Sequence, residues 1–496
     1  MMIAVYMFLL LCSLFMACIH CDPAQLCGNR CLCSSTHDQK IVHTAVCSKD
    51  FPSQLTHNIS VLIMKNLGKT LNKDDVNSPS KLTKLDLKGK IKEIQDHAFD
   101  IENLKNLSVL DLSNNTIQKL TSKTFSGLNN LRELYLDNNN VKVIENGTLT
   151  FMGKLNILFL NRNYLTDIPY LPMNITKLQL QHNHIRTVNF HGQKLYNLKY
   201  LDLSGNAYDS IKKMEFLLGN HIEQLSLGDQ ILQIEPQVFQ ETKELKRLEL
   251  EGKDSLFPET WEGIFQINSL ETLTIKYIPL PPLNQHNFSS MSHLKSLRLI
   301  HINTDVQMKR NVFKQLVQLE ELDLQGSPNI AQHIINTNVL LSSLSHLKTL
   351  ILQSVGIKTF RSNQSELLKN LSFLDISNNK LQCDCRLKWL INKVITGQMK
   401  LKNPKQTICS EPASYYGYSI LDSRVTYTLC PKDESTDTEA TKIPDKARVT
   451  FYPPSTSPNQ SMNSKTIIYI LIALSTMVVI LAVLLIIMIF RNWRQK

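Results

Sequence analysis

Residues 107–130 read LSVLDLSNNTIQKLTSKTFSGLNN, and residues 131–154 follow with LRELYLDNNNVKVIENGTLTFMGK. Both carry the pattern L-x-x-L-x-L-x-x-N-x-(L/I/V). Leu107, Leu110, Leu112, Asn115 and Ile117 answer to Leu131, Leu134, Leu136, Asn139 and Val141. The alternation L-x-L marks a short strand with one apolar face. One such strand cannot bury that face alone, so consecutive copies must stack into a solenoid.

The pattern extends in both directions. Strand starts recur at Ile59, Leu82, Leu107, Leu131, Leu155, Ile175, Leu198, Ile222, Leu245, Leu270, Leu294, Leu319, Leu347 and Leu371. That is about 14 repeats at a spacing of about 24 residues, and it resembles the leucine-rich repeat family, whose period is roughly 20–29. The resemblance implies an α/β leucine-rich repeat solenoid, a horseshoe with a parallel β-sheet on its concave face. Phe99, Phe125, Phe239, Phe288 and Phe313 recur in the half of the repeat away from the strand and are expected to pack as a column. Asn115, Asn139, Asn163, Asn183 and Asn206 hold the position where a buried amide can satisfy the backbone of adjacent turns. The aligned residues then become Gln230, Lys253, Ile278, Ile302, Ser327 and Val355 before the amide returns at Asn379. Along that stretch the backbone groups need other partners or water. A ladder broken in its middle resembles the Toll-like receptors.

Strand residues beside the leucines should face solvent. Tyr135 and Phe159 share one column in adjacent repeats, Ile157 flanks Phe159, and Tyr200 lies two repeats on and one column across. Exposed aromatic and aliphatic side chains clustered there are the expected ligand-binding residues. Nine Asn-x-Ser/Thr sequons begin at Asn58, Asn106, Asn114, Asn146, Asn174, Asn287, Asn363, Asn370 and Asn459, a density suited to a secreted, glycosylated surface.

The ends of the array carry cysteines, of which the chain has 11. Cys27, Cys31, Cys33 and Cys47 precede the first repeat; LQCDCRLKWL (381–390), Cys409, Pro412, Gly417 and Cys430 follow the last. An apolar edge with no neighbouring repeat needs a cover, and a small disulfide-stapled unit supplies it. These motifs resemble the caps of extracellular leucine-rich repeat proteins. The resemblance implies the pairs Cys27–Cys33, Cys31–Cys47, Cys383–Cys409 and Cys385–Cys430, which spacing alone leaves open. A zinc site is the rival reading of the first four, disfavoured behind a secretory signal. The expected organisation is a signal peptide (1–20), N-terminal cap (21–53), repeats (54–380), C-terminal cap (381–430) and disordered stalk (431–465). A transmembrane helix (466–490) and a cytoplasmic tail (491–496) complete it. The charge-free run Ile467–Phe490 is long enough to span a bilayer at roughly 20 residues. The basic RNWRQK behind it orients a single-pass type I protein of the cell membrane, its N-terminus extracellular.

No nucleophile motif, phosphate loop or metal-ligand spacing stands in the sequence, so neither an enzyme nor a cofactor is expected. The net charge of +11 has no dominating Lys/Arg run, and a nucleic-acid partner is not expected. The resemblance implies a cell-surface recognition receptor or co-receptor of innate immunity, binding a protein or microbial ligand beside a membrane co-receptor. The tail is expected to carry no signalling domain. The alternative of the same architecture is a cell adhesion or extracellular-matrix receptor.

Overall fold

The computed structural model describes residues 25–28, 31–34, 43–49, 51, 59–68, 70–76, 82–212, 221–240, 242–361 and 364–429. The expected signal peptide, stalk, transmembrane segment and tail lie outside the described residues, as do Cys430 and the sequon residues Asn58, Asn363 and Asn459. Among the described residues no helix is long and apolar enough to cross a membrane.

Every strand start from Ile59 to Leu371 leads into a strand of one sheet, and each strand pairs in parallel with the next. The register keeps equivalent leucines opposite one another: Leu110, Leu134, Leu158, Leu178 and Leu201 are in line, and all are buried. Burying each such side chain is worth about 1.5–3 kcal/mol before chain entropy is counted. The core is one continuous cluster running from Cys31 to Leu429.

Behind the sheet the expected phenylalanines are buried. Phe99 stacks on Phe125 and Phe288 on Phe313, each with ring centroids 6.2 Å apart. The column acquires Trp261 and Phe265 from helix Pro258–Phe265, with Phe265 edge-on to Phe288 at 5.6 Å. That helix lies so close to Pro236 and Phe239 that a Cβ on Gly263 would sit 2.8 Å from the Pro236 Cα.

The buried asparagines solve the corner after each short strand. Asn139 Nδ2 donates to the Leu112 carbonyl (2.9 Å) and the Leu136 carbonyl (3.1 Å), while its Oδ1 accepts from the Ile117 N–H (3.0 Å). Asn115, Asn163, Asn183 and Asn206 repeat the arrangement one turn apart. Each amide thus joins its own turn to the preceding one.

Where the ladder breaks, the backbone finds other partners in two ways. The strands lengthen: Gln224–Asp229 and Arg247–Gly252 have six residues and Thr272–Lys276 and Ser296–Ile300 five, against three for Glu133–Tyr135. The extra residues pair directly, Gly228 with Glu251 and Asp229 with Gly252. Hydroxyls replace amides at the two borders. Tyr208, fully buried, accepts from the Gly228 N–H (3.0 Å) and donates to the Leu203 carbonyl (3.2 Å). Ser327 Oγ donates to the Leu299 carbonyl (2.7 Å) and accepts from the Ile302 N–H (2.8 Å). Ile278, Ile302 and Val355, freed of the polar duty, are core.

One edge of this stretch carries a charge comb. The residues just ahead of successive strands run Lys199, Glu223, Lys246, Glu271, Lys295, Glu320, Lys348, and Glu223 holds both Lys199 (2.9 Å) and Lys246 (3.0 Å). Such exposed pairs are screened by solvent and add little to stability.

At the first end, strands Gln25–Gly28 and Cys31–Ser34 form an antiparallel hairpin, extended by His43–Ser48, which pairs in parallel with Ile59–Leu67. Cys31 and Cys47 are joined by a disulfide; the side chains of Cys27 and Cys33 lie outside the described set. At the other end, strand Lys400–Leu401 pairs with Phe373–Asp375, and Cys383 is joined to Cys409. Cys385 is also disulfide-bonded. Leu387, Leu390, Ile420 and Val425 are fully buried over the last repeat, and the half-buried Trp389 sets its ring edge-on to Phe360.

Two outcomes test this account. Asn139→Ala strips two carbonyls and one N–H of their partner inside the core and should cost on the order of 3 kcal/mol, read as a lower denaturation midpoint and faster hydrogen exchange around Leu112–Ile117. Cys383→Ser should cost about 2–5 kcal/mol, read by thermal melting.

Candidate functional site

The solvent side of the sheet is built from the residues flanking the central leucine of each strand. In strands Glu133–Tyr135, Ile157–Phe159, Lys177–Gln179 and Tyr200–Asp202 the middle leucine is buried and both neighbours are half-buried. The pairing makes two columns. Glu133, Ile157, Lys177 and Tyr200 form one; Tyr135, Phe159, Gln179 and Asp202 form the other.

Tyr135 and Phe159 meet edge to face, centroids 4.9 Å apart and planes at 85°. This is the favoured geometry of two rings whose faces are negative and edges positive. Ile157 sits in the neighbouring column, between Glu133 and Lys177. Tyr200 does not reach Phe159 itself. Lys177 connects them: its Nζ is 5.1 Å from the Phe159 ring centre and 4.7 Å from that of Tyr200. Each such contact at a partly exposed site contributes about 0.5–1 kcal/mol. Sequence reasoning passed over Lys177. The signal was its position, in the same column as Ile157 and Tyr200 and in the repeat that separates them.

The rings are held rather than loose. Tyr135 Oη donates to Glu133 Oε2 at 2.7 Å. Burial first, and then the Glu133 hydrogen bond and charge, push the Tyr135 phenol up to about 12. Burial, with Asp202 next, also pushes the Tyr200 phenol up. Both phenols therefore stay neutral across physiological pH. Carboxylates surround the rings. Asp111 stands opposite Tyr135, Asp137 follows Leu136, and Asp202 ends the second column. Burial is the leading cause that raises the Asp137 and Asp202 carboxyls. Asp202 is locked in a local turn, its Oδ1 accepting from Ser204 N (3.0 Å) and Ser204 Oγ (2.7 Å). Asp111, Asp323 and Asp375 cap their strands in the same way through Ser113, Gln325 and Ser377. The aspartate column is thus a structural device.

The sequon residues lie off these columns. Asn106, Asn114, Asn146, Asn174 and Asn370 are exposed and Asn287 is half-buried. Asn106, Asn174 and Asn370 share one repeat position, immediately before Leu107, Ile175 and Leu371; Asn174 Nδ2 donates to the Gly153 carbonyl and Asn370 Nδ2 to the Ser345 carbonyl. Asn114 adopts φ 57° at the turn after strand Val109–Asp111, and its Oδ1 accepts from Asn138 Nδ2 (2.9 Å).

The Tyr135 titration has a defined sign. A phenol raised in the folded state contributes stability below its ordinary value of 10.0, and that contribution is lost as pH rises through about 12. Glu133→Gln should lower the folded value but leave it above 10.0, since burial is the larger cause. Nuclear magnetic resonance of ring-labelled tyrosine, followed against pH, reads both.

Comparison with known proteins places this geometry. Residues 80–141 match the leucine rich repeat family model, and residues 209–342 the BspA type leucine rich repeat region. Human vasorin is 27% identical over 184 residues, 37% of this chain and 26% of vasorin. Human CD180 antigen is 26% identical over 258 residues, 47% of this chain and 39% of that protein. The chain therefore spans well under half the length of these curated relatives. Among solved structures, TLR13 in its complex with ssRNA13 superposes with a TM-score of 0.55 at 26% identity, over 73% of this chain and 53% of that one. With the repeat pattern, the parallel ladder and these likenesses in agreement, the chain is a leucine-rich repeat protein whose array resembles a Toll-like receptor ectodomain.

Proposed function

We infer that this protein is a cell-surface recognition receptor or co-receptor of innate immunity, and that it binds a protein ligand through the ring cluster on its sheet. The observation that carries this reading is the Tyr135–Phe159–Lys177–Tyr200 assembly. Aromatic side chains held on a preformed sheet are the kind of residue that dominates interface energetics. The likeness to TLR13 and CD180 supports the receptor class. Anchorage as a single-pass type I membrane protein through residues 466–490 and a membrane co-receptor belong to the same proposal.

The electrostatics narrow the ligand. Two of the three aromatic rings, Phe159 and Tyr200, share the Lys177 ammonium, while Glu133, Asp111, Asp137 and Asp202 stand around the cluster. A phosphate backbone approaching that surface meets more carboxylate than cation. An apolar protrusion with a basic rim meets complementary chemistry. The TLR13 structure contains single-stranded RNA, and this patch is poorly suited to a ligand of that kind.

The double variant Tyr135→Ala/Phe159→Ala leaves the leucine core untouched, so folding should survive. Full-length protein displayed on cells should capture a secreted or cell-surface protein partner. The double variant should weaken that capture by more than about 2 kcal/mol, roughly thirtyfold. Equal capture by parent and variant would remove the site. Tight binding of short single-stranded RNA, falling steeply with salt, would replace the ligand class.

A further inference from the structure

Away from the sheet face, Val143, Ile168 and Pro169 form the apolar wall of a cavity of about 400 Å³. Tyr170 and His191 also line it, their rings stacked with centroids 4.4 Å apart and planes at 19°. The His191 ring is fixed by Nε2, 2.8 Å from the Ile168 carbonyl oxygen. Ile168 and Pro169 are buried, and the apolar surface left open to solvent is that of Val143, 49% exposed, and the Tyr170 ring.

Asn146 stands on the lining of the same cavity. It is exposed and begins the sequon Asn146-Gly147-Thr148. Gly147, at φ 93°, turns the chain there. Thr148 then points into the core: it is fully buried, and its Oγ1 donates to the Glu145 carbonyl at 2.6 Å. The acceptor amide is outside beside the cavity, and the hydroxyl of its sequon is sealed inside. A transferase that needs the whole Asn-Gly-Thr segment must act before this turn closes.

We propose that the cavity is the seat of the N-linked glycan on Asn146, whose first sugar rings fold back onto Tyr170 and Val143. A pyranose ring has an apolar C–H face and a hydroxyl rim. The cavity offers an aromatic plate and an apolar wall, with Lys142, Thr166 and Asp167 as polar partners. Its volume, at the low end of the roughly 300–1,000 Å³ typical of ligand pockets, suits a sugar ring or two. The tether decides the occupant. A glycan already joined at the rim has a high effective concentration and has given up its translational freedom, whereas a free ligand must lose that freedom on binding. The seated sugars also cover apolar surface that would otherwise face solvent.

The test uses the full-length glycoprotein, native and intact, with site-by-site glycopeptide mass spectrometry. Endoglycosidase should release the Asn146 glycan about tenfold more slowly than those on Asn106 and Asn370. Tyr170→Ala should abolish that difference while leaving release at Asn106 and Asn370 unchanged, which separates local exposure from unfolding. A second reading needs no variant: in the parent protein the shielded Asn146 glycan should remain richer in mannose than the glycan on Asn370. An unoccupied Asn146, release at the same rate as the other sites, protection that survives Tyr170→Ala, or equal processing at Asn146 and Asn370 would each overturn the proposal.

Discussion

A backbone that turns a corner inside an apolar core must find partners for every N–H and carbonyl it brings there. In this solenoid that need arises once per repeat, at the end of each strand. The buried asparagine amide meets it with two donors and one acceptor shared between neighbouring turns. The leucine spacing, the short strands and the parallel register all presuppose that corner. In the repeats of Gln230, Lys253, Ile278 and Ile302, where the amide is absent, the strand runs on, and its own ladder absorbs groups the amide would have held. The fold thus has two interchangeable ways of satisfying one constraint.

The repeat starts were legible because L-x-L alternation and the asparagine position repeat with little drift, and each start leads to a strand. The amide's absence between Gln230 and Val355 was equally legible, but its replacement was not. Tyr208 and Ser327 act as hydroxyl substitutes only because the chain brings them to the right carbonyl, and neither residue type signals that in a sequence. The phenylalanine column was read in part. Its middle is filled by Trp261 and Phe265 from a helix that the repeat period did not announce.

The same asymmetry holds at the site. Column membership follows from a period of two along the strand and one repeat across it, so Tyr135 and Phe159 could be placed together from sequence alone. Lys177 could not be singled out that way, because a lysine on a strand is ordinarily a solvated charge. Its meaning comes from two rings lying within reach of one flexible stem.

The change in strand length along the array has a mechanical consequence. Hydrogen bonds between parallel strands of successive repeats run along the stacking direction, so a pull along the array loads all bonds of one strand pair at once. Between the six-residue strands Gln224–Asp229 and Arg247–Gly252 the strand ladder itself takes that load, whereas between Glu133–Tyr135 and Ile157–Phe159 the Asn163 amide shares it, joining the two turns through the Leu136 carbonyl and the Val141 N–H. In the asparagine-ladder repeats a single side chain therefore carries part of the tension at each junction, and in the long-strand repeats the backbone carries it. The aromatic cluster lies on the asparagine-ladder section, so the spacing of its rings under tension is set by the buried amides beneath them.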